Sequence, residues 1–388
     1  MPTLLSRLLM VVKREVKMIV HDSDLMMILL IAPLFYMFFY GSFYYNKAES
    51  KIPVAVVDLD RTLSSKRLAY EINSHPMLSV PVVTGNFEEA QQLLYKREVF
   101  AVMVIPKDYE RDVKTMRGGN MNVFLNNSQF LVSNDINRAI NDIKSLHDNA
   151  SAKHFVEMGG ILGENATYLS EPIHPDIRPV FNMGDNYGSF LLPGLLILII
   201  QQTLFIGLGE SVGKERESKT FGELYERSGR SVLAMVFGKG LFYIVLFTAY
   251  ALVMLFAGLP FFRIGFYGNL PVFMGMIVLF LLTHVSFSMF LASFLKNKLQ
   301  GLILVAFTSY PFLMISGFAW PQNSMPAIVK AISYCIPGTV FFQQINPLIQ
   351  TKDSLPLVIP AAIQLCVMLA IYTVLNYWRY KKLANETA

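Results

Sequence analysis

The densest chemistry in the chain lies in residues 209–230 (GESVGKERESKTFGELYERSGR), where ten side chains are charged. Glu215-Arg216-Glu217, followed by Lys219-Thr220 and the apolar Phe221, Leu224 and Tyr225, reads as a short helix presenting a knob to a partner. A solvated loop between helices is the alternative, because such charge density is ordinary there. Gly213-Lys214 is a near miss for a phosphate-cradling loop. Leu208 stands where the first glycine of that pattern belongs, and Glu215 where a Ser or Thr hydroxyl would meet Mg. The pattern therefore gives this chain no ATP site of its own.

Other candidate groups are sparser. Asp58 and Asp60 could act as paired carboxylates, but they follow a β-rich run, where Asp commonly makes turns and caps. His75, His147, His154 and His174 have no metal-ligand spacing, and two cysteines, Cys335 and Cys366, give neither a disulfide framework nor a metal cluster. Asn165-Ala-Thr167 fits a glycosylation acceptor, a pattern common by chance. His284 reads as the one clear ionisable side chain inside an apolar run. Such a residue is either functional or a neutral donor to a neighbouring helix.

The elements that must carry these groups follow from composition. Of 388 residues, 53% are hydrophobic and 16% charged, against about 25% charged in an average soluble domain. The apolar residues concentrate in six runs, at about 25–45, 188–208, 231–257, 270–295, 299–318 and 355–378. Each has roughly the 20 residues that cross ~30 Å of hydrocarbon as a helix. The first starts late, after Glu15, Asp22 and Asp24, and ends in bulky aromatics, so it reads as an uncleaved span.

The net charge of +5 is unevenly placed. Arg7, Lys13, Arg14 and Lys17 precede span one. Lys214, Arg216, Lys219, Arg227 and Arg230 separate spans two and three, Lys296 and Lys298 separate four and five, and Arg379, Lys381 and Lys382 follow six. The other short loops offer only Arg263, Lys330 and Lys352. The positive-inside rule therefore places both termini in the cytoplasm and residues 46–187 outside. Residues 3–20 form an amphipathic helix with Arg7, Lys13, Arg14 and Lys17 on its basic side. Such a helix lies in the headgroup plane with its cations near anionic lipid.

Residues 46–187 alternate strand and helix, which implies a small inserted α/β domain. Strands are expected at about 52–58, 78–83, 100–105 and 121–125. Helices are expected at about 64–74, 87–95 with Asn86 as N-cap, from Pro106 to 116, and at 130–158.

Together these residues resemble the integral-membrane permease of type-2 ATP-binding-cassette exporters, in the long form with a large external domain. The resemblance covers nearly the whole chain. It rests on Phe181-Asn182 with Pro193-Gly194, Glu215-Arg216-Glu217 with Lys219-Thr220, and Gly238-Lys239. Late in the chain it adds Pro311, Ser316-Gly317-Phe318, Pro321, Met325-Pro326 and Pro337-Gly338. Two departures bear on the coupling segment: Lys219 replaces the usual Gly of a Gly-Thr pair, and Ser228-Gly229 replaces a common Thr-Pro.

The resemblance implies a fold of six transmembrane helices, an N-terminal interfacial helix (1–24) and an extracytoplasmic α/β domain (46–187). It also implies a cytoplasmic coupling segment (209–230) and a re-entrant outer-leaflet segment near 319–347. It implies a subunit of the bacterial inner membrane that exports an amphipathic, lipid-like or drug-like substrate. A second permease copy or paralogue and a separate ABC ATPase, which holds ATP and Mg, would be its partners, with periplasmic adaptor or other envelope proteins as further ones. Nucleic acid is not expected. Glu215, Arg216, Glu217, Lys219, Thr220, Glu223 and Leu224 would couple to the ATPase, and Glu215→Lys would then uncouple transport without unfolding the bundle. The rival class is a membrane-anchored sensor or scaffold whose external domain binds a ligand; six spans are more than it needs. Because the phosphate loop is missing, the purified chain alone is expected neither to bind nor to hydrolyse ATP; saturable ATP binding in equilibrium dialysis would refute this.

Overall fold

A computed structural model describes residues 4–43, 45, 50–115, 119–160 and 187–387. The readings at Asn165, Thr167, His174 and Phe181-Asn182 lie outside the described residues. The chain divides into two compact units, one of residues 48–178 and one made from the segments on either side.

The inserted unit is a four-stranded sheet with helices on both faces. Its elements are β1 (Ile52–Asp58), α3 (Leu63–Ser74), β2 (Leu78–Thr84), α4 (Phe87–Tyr95), β3 (Ala101–Ile105), α5 (Tyr109–Lys114), β4 (Asn122–Leu125) and α6 (Phe130–Met158). The strand order is β2-β1-β3-β4, with β1 parallel to β2 and β3, and β4 antiparallel to β3. β3 is apolar throughout, and β1 up to its terminal Asp58, because both their faces are covered. Val54 and Val56 face Ile72 of α3 and Ile136 of α6, while Ala55 and Val57 face Ala90 of α4. On α6 the buried Val132, Ile136, Ala139 and Ile143 recur at helical spacing.

Local chemistry sets the boundaries. Asn86 caps α4 by accepting from the Glu88 N–H. The helix after Pro106 starts three residues later than the sequence implies, because Asp108 takes the left-handed conformation at φ 68° and interrupts the backbone. Asp58 accepts from the N–H groups of Asp60 and Arg61 and from Ser65 Oγ, so it builds the β1–α3 turn. Asp60 accepts from Thr62 Oγ1 and the Glu110 N–H, and the Thr62 hydrogen bond leads in holding its carboxyl below the usual range. His147 pairs with Glu71 at 2.5 Å and His75 with Asp142 at 3.6 Å, joining α3 to α6. His154 is exposed.

The second unit is helical: α1 (Leu4–Val20), α2 (Ser23–Phe43), α7 (Tyr187–Glu217), α8 (Phe221–Arg227), α9 (Val232–Phe261), α10 (Leu270–Ala292), α11 (Lys298–Ile315) and α15 (Leu355–Thr387). Between α11 and α15 lie the short helices α12 (Ala327–Ser333), α13 (Pro337–Phe342) and α14 (Ile345–Gln350). Six of these helices, α2, α7, α9, α10, α11 and α15, are long and apolar enough to cross a membrane. Prolines stand at the starts of α12 and α13, Pro326 and Pro337, and α13 is buried along its whole length.

α2 and α9 each contain a π-helical turn, at Met27–Ile31 and Met254–Gly258. Such a turn disturbs the backbone ladder. Tyr250 Oη lies 2.8 Å from the Leu29 carbonyl and 3.0 Å from that of Leu30, and so serves the disturbed turn of α2.

Candidate functional site

The charges outlined above do not form a loop surface. α7 does not end near residue 208 but runs on as helix to Glu217, because its polar last turns find partners on neighbouring helices. Gly213 has a packing role: a Cβ there would lie 2.6 Å from the Asn297 carbonyl, so glycine lets α7 meet the start of α11. Gly238 does the same for α9 against Val11 of α1.

At the end of the bundle where α7 finishes, three buried charged side chains meet and the half-buried Arg14 joins them. Lys239 Nζ of α9 donates to Glu15 Oε2 of α1 at 2.5 Å and to Glu215 Oε1 of α7 at 3.2 Å. Arg14 of α1 pairs with Glu215. Ser211 Oγ at 2.5 Å and Tyr243 Oη at 2.9 Å both donate to Glu15 Oε1. Lys239 is 0% exposed, Glu15 1% and Glu215 1%. Two cations and two anions balance, and each carboxylate holds more than one donor, which buried ions require.

A second cluster continues from the first. Lys214 donates to Asp22 at 2.6 Å, while Lys298 of α11 reaches Asp22 at 3.3 Å, Asp24 at 3.0 Å and Glu210 at 3.5 Å. Burial alone would raise the Asp22 carboxyl. The Lys214 hydrogen bond, the Leu25 N–H and the charges of Lys298 and Lys214 outweigh it and hold the group at about 2. With the folded value depressed, this stabilisation is complete above the ordinary carboxylate range near pH 4 and is lost as pH falls through about 2.

The expected coupling residues split into two sets. Glu215 and Leu224 are buried and Arg216 is half-buried, so they cannot form the knob that the sequence implies. Arg216 donates to the Ser293 and Leu295 carbonyls at 3.0 and 2.7 Å, closing the end of α10 with a cation. Phe221 and Leu224 turn into their own bundle, and Phe221 stacks on Tyr380 of α15. Glu217, Lys219 and Glu223 are exposed, as are Glu226 and Arg227; Thr220 is half-buried.

The two departures from the family pattern now have different meanings. Lys219 has φ 57°, the left-handed backbone that glycine adopts freely, so the turn survives the substitution; the lysine costs roughly 1–2 kcal/mol there. Gly229 has φ 70°, which proline, fixed near −65°, cannot take, so this turn differs from a Thr-Pro one.

The basic side of α1 also divides. Lys13 and Lys17 are exposed, but Arg14 faces Glu215 and the Arg7 guanidinium packs over Gly229. The buried stripe is Val11, Glu15 and Ile19. His284 is fully buried in α10, and its Nε2 donates to the Gln201 carbonyl of α7 at 3.2 Å. It is not the sole ionisable group within a span, because Lys239 and Glu210 are buried in α9 and α7.

Glu15, Lys239, Ser211 and Tyr243 were absent from the expected site. Two of the four carry a signal in the sequence: Lys239 is the single charge in its apolar run, and Glu15 interrupts an apolar stripe at i±4 from Val11 and Ile19.

An α-helical membrane protein with six candidate spans, a polar-capped bundle end and an inserted α/β unit is the class these features define. Residues 24–378 match the ABC-2 family transporter proteins, and the chain belongs to that family, the membrane subunits of ABC transporters. It is 22% identical over 348 residues to the probable multidrug ABC transporter permease YbhR of Escherichia coli K12, covering 90% of each chain. It is 20% identical to the probable multidrug ABC transporter permease YbhS over 371 residues (94% of each), and 22% to the inner membrane transport permease YhhJ over 339 (87% of each), both also of E. coli K12. A domain of a putative ABC type-2 transporter from Thermotoga maritima MSB8 aligns with 31% of this chain and 81% of its own, at 16% identity and a TM-score of 0.23.

Lys239→Met should cost about 3–5 kcal/mol, because Glu15 and Glu215 are then left buried without their shared cation. Glu215→Lys, which brings a third cation beside Arg14 and Lys239, should destabilise the bundle end. Thermal unfolding in detergent checks both; midpoints equal to wild type would show that the cluster carries no stability.

Proposed function

We propose that this chain is the permease subunit of an exporter in a bacterial inner membrane. It moves an amphipathic, lipid-like or drug-like substrate outward, driven by ATP hydrolysis on a separate ATPase subunit. The observation that carries this reading is the separation of charges at the end of α7. The buried set fastens α1, α7 and α9 to one another, and the set on 217–227 is left facing outward.

In this reading the exposed residues Glu217, Lys219, Glu223, Glu226 and Arg227 receive the ATPase. Closure of two ATPase subunits on ATP pushes α8. Because Phe221 and Leu224 are packed into the bundle and Glu215 is locked to Arg14 and Lys239, the push passes to α7 and α9 as a rigid displacement. The spans then exchange between two closed states, biased by nucleotide. The relatives' description as multidrug permeases supports an amphipathic substrate.

The same reading puts the charged bundle end and both termini in the cytoplasm and the α/β unit outside. It makes the functional form a dimer of permeases, and envelope proteins are further partners of the α/β unit.

Glu223→Lys should reduce copurification of the ATPase subunit with no change in the permease's thermal midpoint, since the side chain is exposed. Undiminished copurification after reversal at both Glu223 and Glu226 would remove 217–227 as the docking surface. For orientation, a cysteine at the exposed Tyr70 should react with an impermeant thiol reagent in intact cells and one at the exposed Ser218 should not. The reverse pattern would invert the topology.

A further inference from the structure

Beside the buried cluster lies an open groove of about 330 Å³, lined by Arg14, Lys17, Met18 and His21 on one wall and Lys214, Ser218 and Thr220 on the other. Its ion pairs are oriented. The carboxylates lie beneath, with the Asp22 side chain 9% exposed and Glu215 2%, while their cations Lys214 at 38% and Arg14 at 16% lie nearer the opening. Each pair therefore turns its positive end toward the groove. Lys17 adds an exposed cation to which no ion pair is assigned among the described residues. The His21 Nδ1 donates to the Lys17 carbonyl at 2.8 Å, which leaves Nε2 free to face a ligand. The Ser218 and Thr220 hydroxyls, 3.1 Å apart, complete a polar floor.

The flanking surface is apolar. Leu9, Met10, Val16 and Val20 of α1 are 36–60% exposed and alternate with Lys13 and Lys17 on its free side. Cations interleaved with bare aliphatic side chains at the end of a spanning bundle match the boundary between headgroups and acyl chains. A protein partner would need to cover those aliphatic residues as well as the charges.

We propose that this groove is a binding site for the phosphate of an anionic phospholipid, whose acyl chains run over Val16 and Val20. The phosphate accepts from Lys17, Lys214 and the free guanidinium N–H groups of Arg14. The site adjoins the surface at 217–227 and shares Ser218 and Thr220 with it, but its cations Arg14, Lys17 and Lys214 lie outside that surface.

The test uses the full chain in detergent, titrated with phosphatidylglycerol or phosphatidylcholine of matched chains, with bound lipid counted by native mass spectrometry. Wild type should hold phosphatidylglycerol in preference to phosphatidylcholine. Lys17→Gln and Lys214→Gln should each weaken phosphatidylglycerol about fivefold, while Lys352→Gln, near α14, should leave it unchanged. Asp22 keeps Lys298 when Lys214 is replaced, so an unaltered thermal midpoint separates lost binding from lost folding. Equal affinity for the two lipids, or unchanged affinity in both groove variants, would overturn the proposal. Displacement of the lipid by inorganic phosphate would make the groove a free-anion site and overturn the lipid assignment. So would loss of ATPase copurification in the groove variants with lipid preference intact.

Discussion

A lysine held between two glutamates, out of reach of water, is the constraint on which the bundle end depends. Lys239, Glu15 and Glu215 come from three helices, and their sequence separations are 224 and 24 residues. None could be buried alone, because an unpaired ion loses its hydration without compensation. Each therefore fixes the position of the others. Arg14 cancels the second carboxylate, and the Ser211 and Tyr243 hydroxyls fill the remaining lone pairs of Glu15. The geometry of α1 against α7 and α9 reflects this balance together with the apolar contact of Val11 and Ile19, and Gly238 lets Val11 approach.

Because those charges are spent internally, the remainder of 209–230 is sorted by default. Side chains on the inner side of α7 and α8 complete the bundle: Glu210 beside Lys298, Arg216 on the carbonyls ending α10, Phe221 on Tyr380. Only the outer side remains for a partner. A segment that is half core and half surface can transmit force, since displacing its outer face must displace what its inner face grips. A free loop with the same composition would absorb the displacement. The left-handed backbone at Lys219 and Gly229 brackets α8 and gives it sharp ends.

Away from this end the helical unit is built with less charge. His284 donates to one backbone carbonyl and packs against Phe280, which itself stacks on Phe341 of α13 at 4.5 Å. The short helix α13 is buried on all sides, and Gly338 in it leaves room for the Gln201 side chain. Non-helical backbone within a membrane unit needs such cover. The inserted α/β unit follows ordinary aqueous rules instead, with an alternating core and carboxylate-capped turns.

Whatever depends on local pattern is legible in the amino-acid sequence. Six apolar runs, the strand–helix alternation with the Asn86 cap, and the order of the family motifs are all legible one segment at a time, because hydropathy and capping act over a few residues. The sequence also marked 209–230 as charged, and that is where local reading stopped. Whether Glu215 faces a partner or Lys239 depends on which helix lies alongside, and no short-range signal carries this. The packing of the folded chain pairs the half-buried Arg14 with Glu215 and leaves Lys13 and Lys17 exposed, continues α7 to Glu217, and brings Glu15 into the site. The physical reason is the cost of desolvating charge: a lone ionic side chain prefers water, and only partners brought together from across the chain reverse that preference.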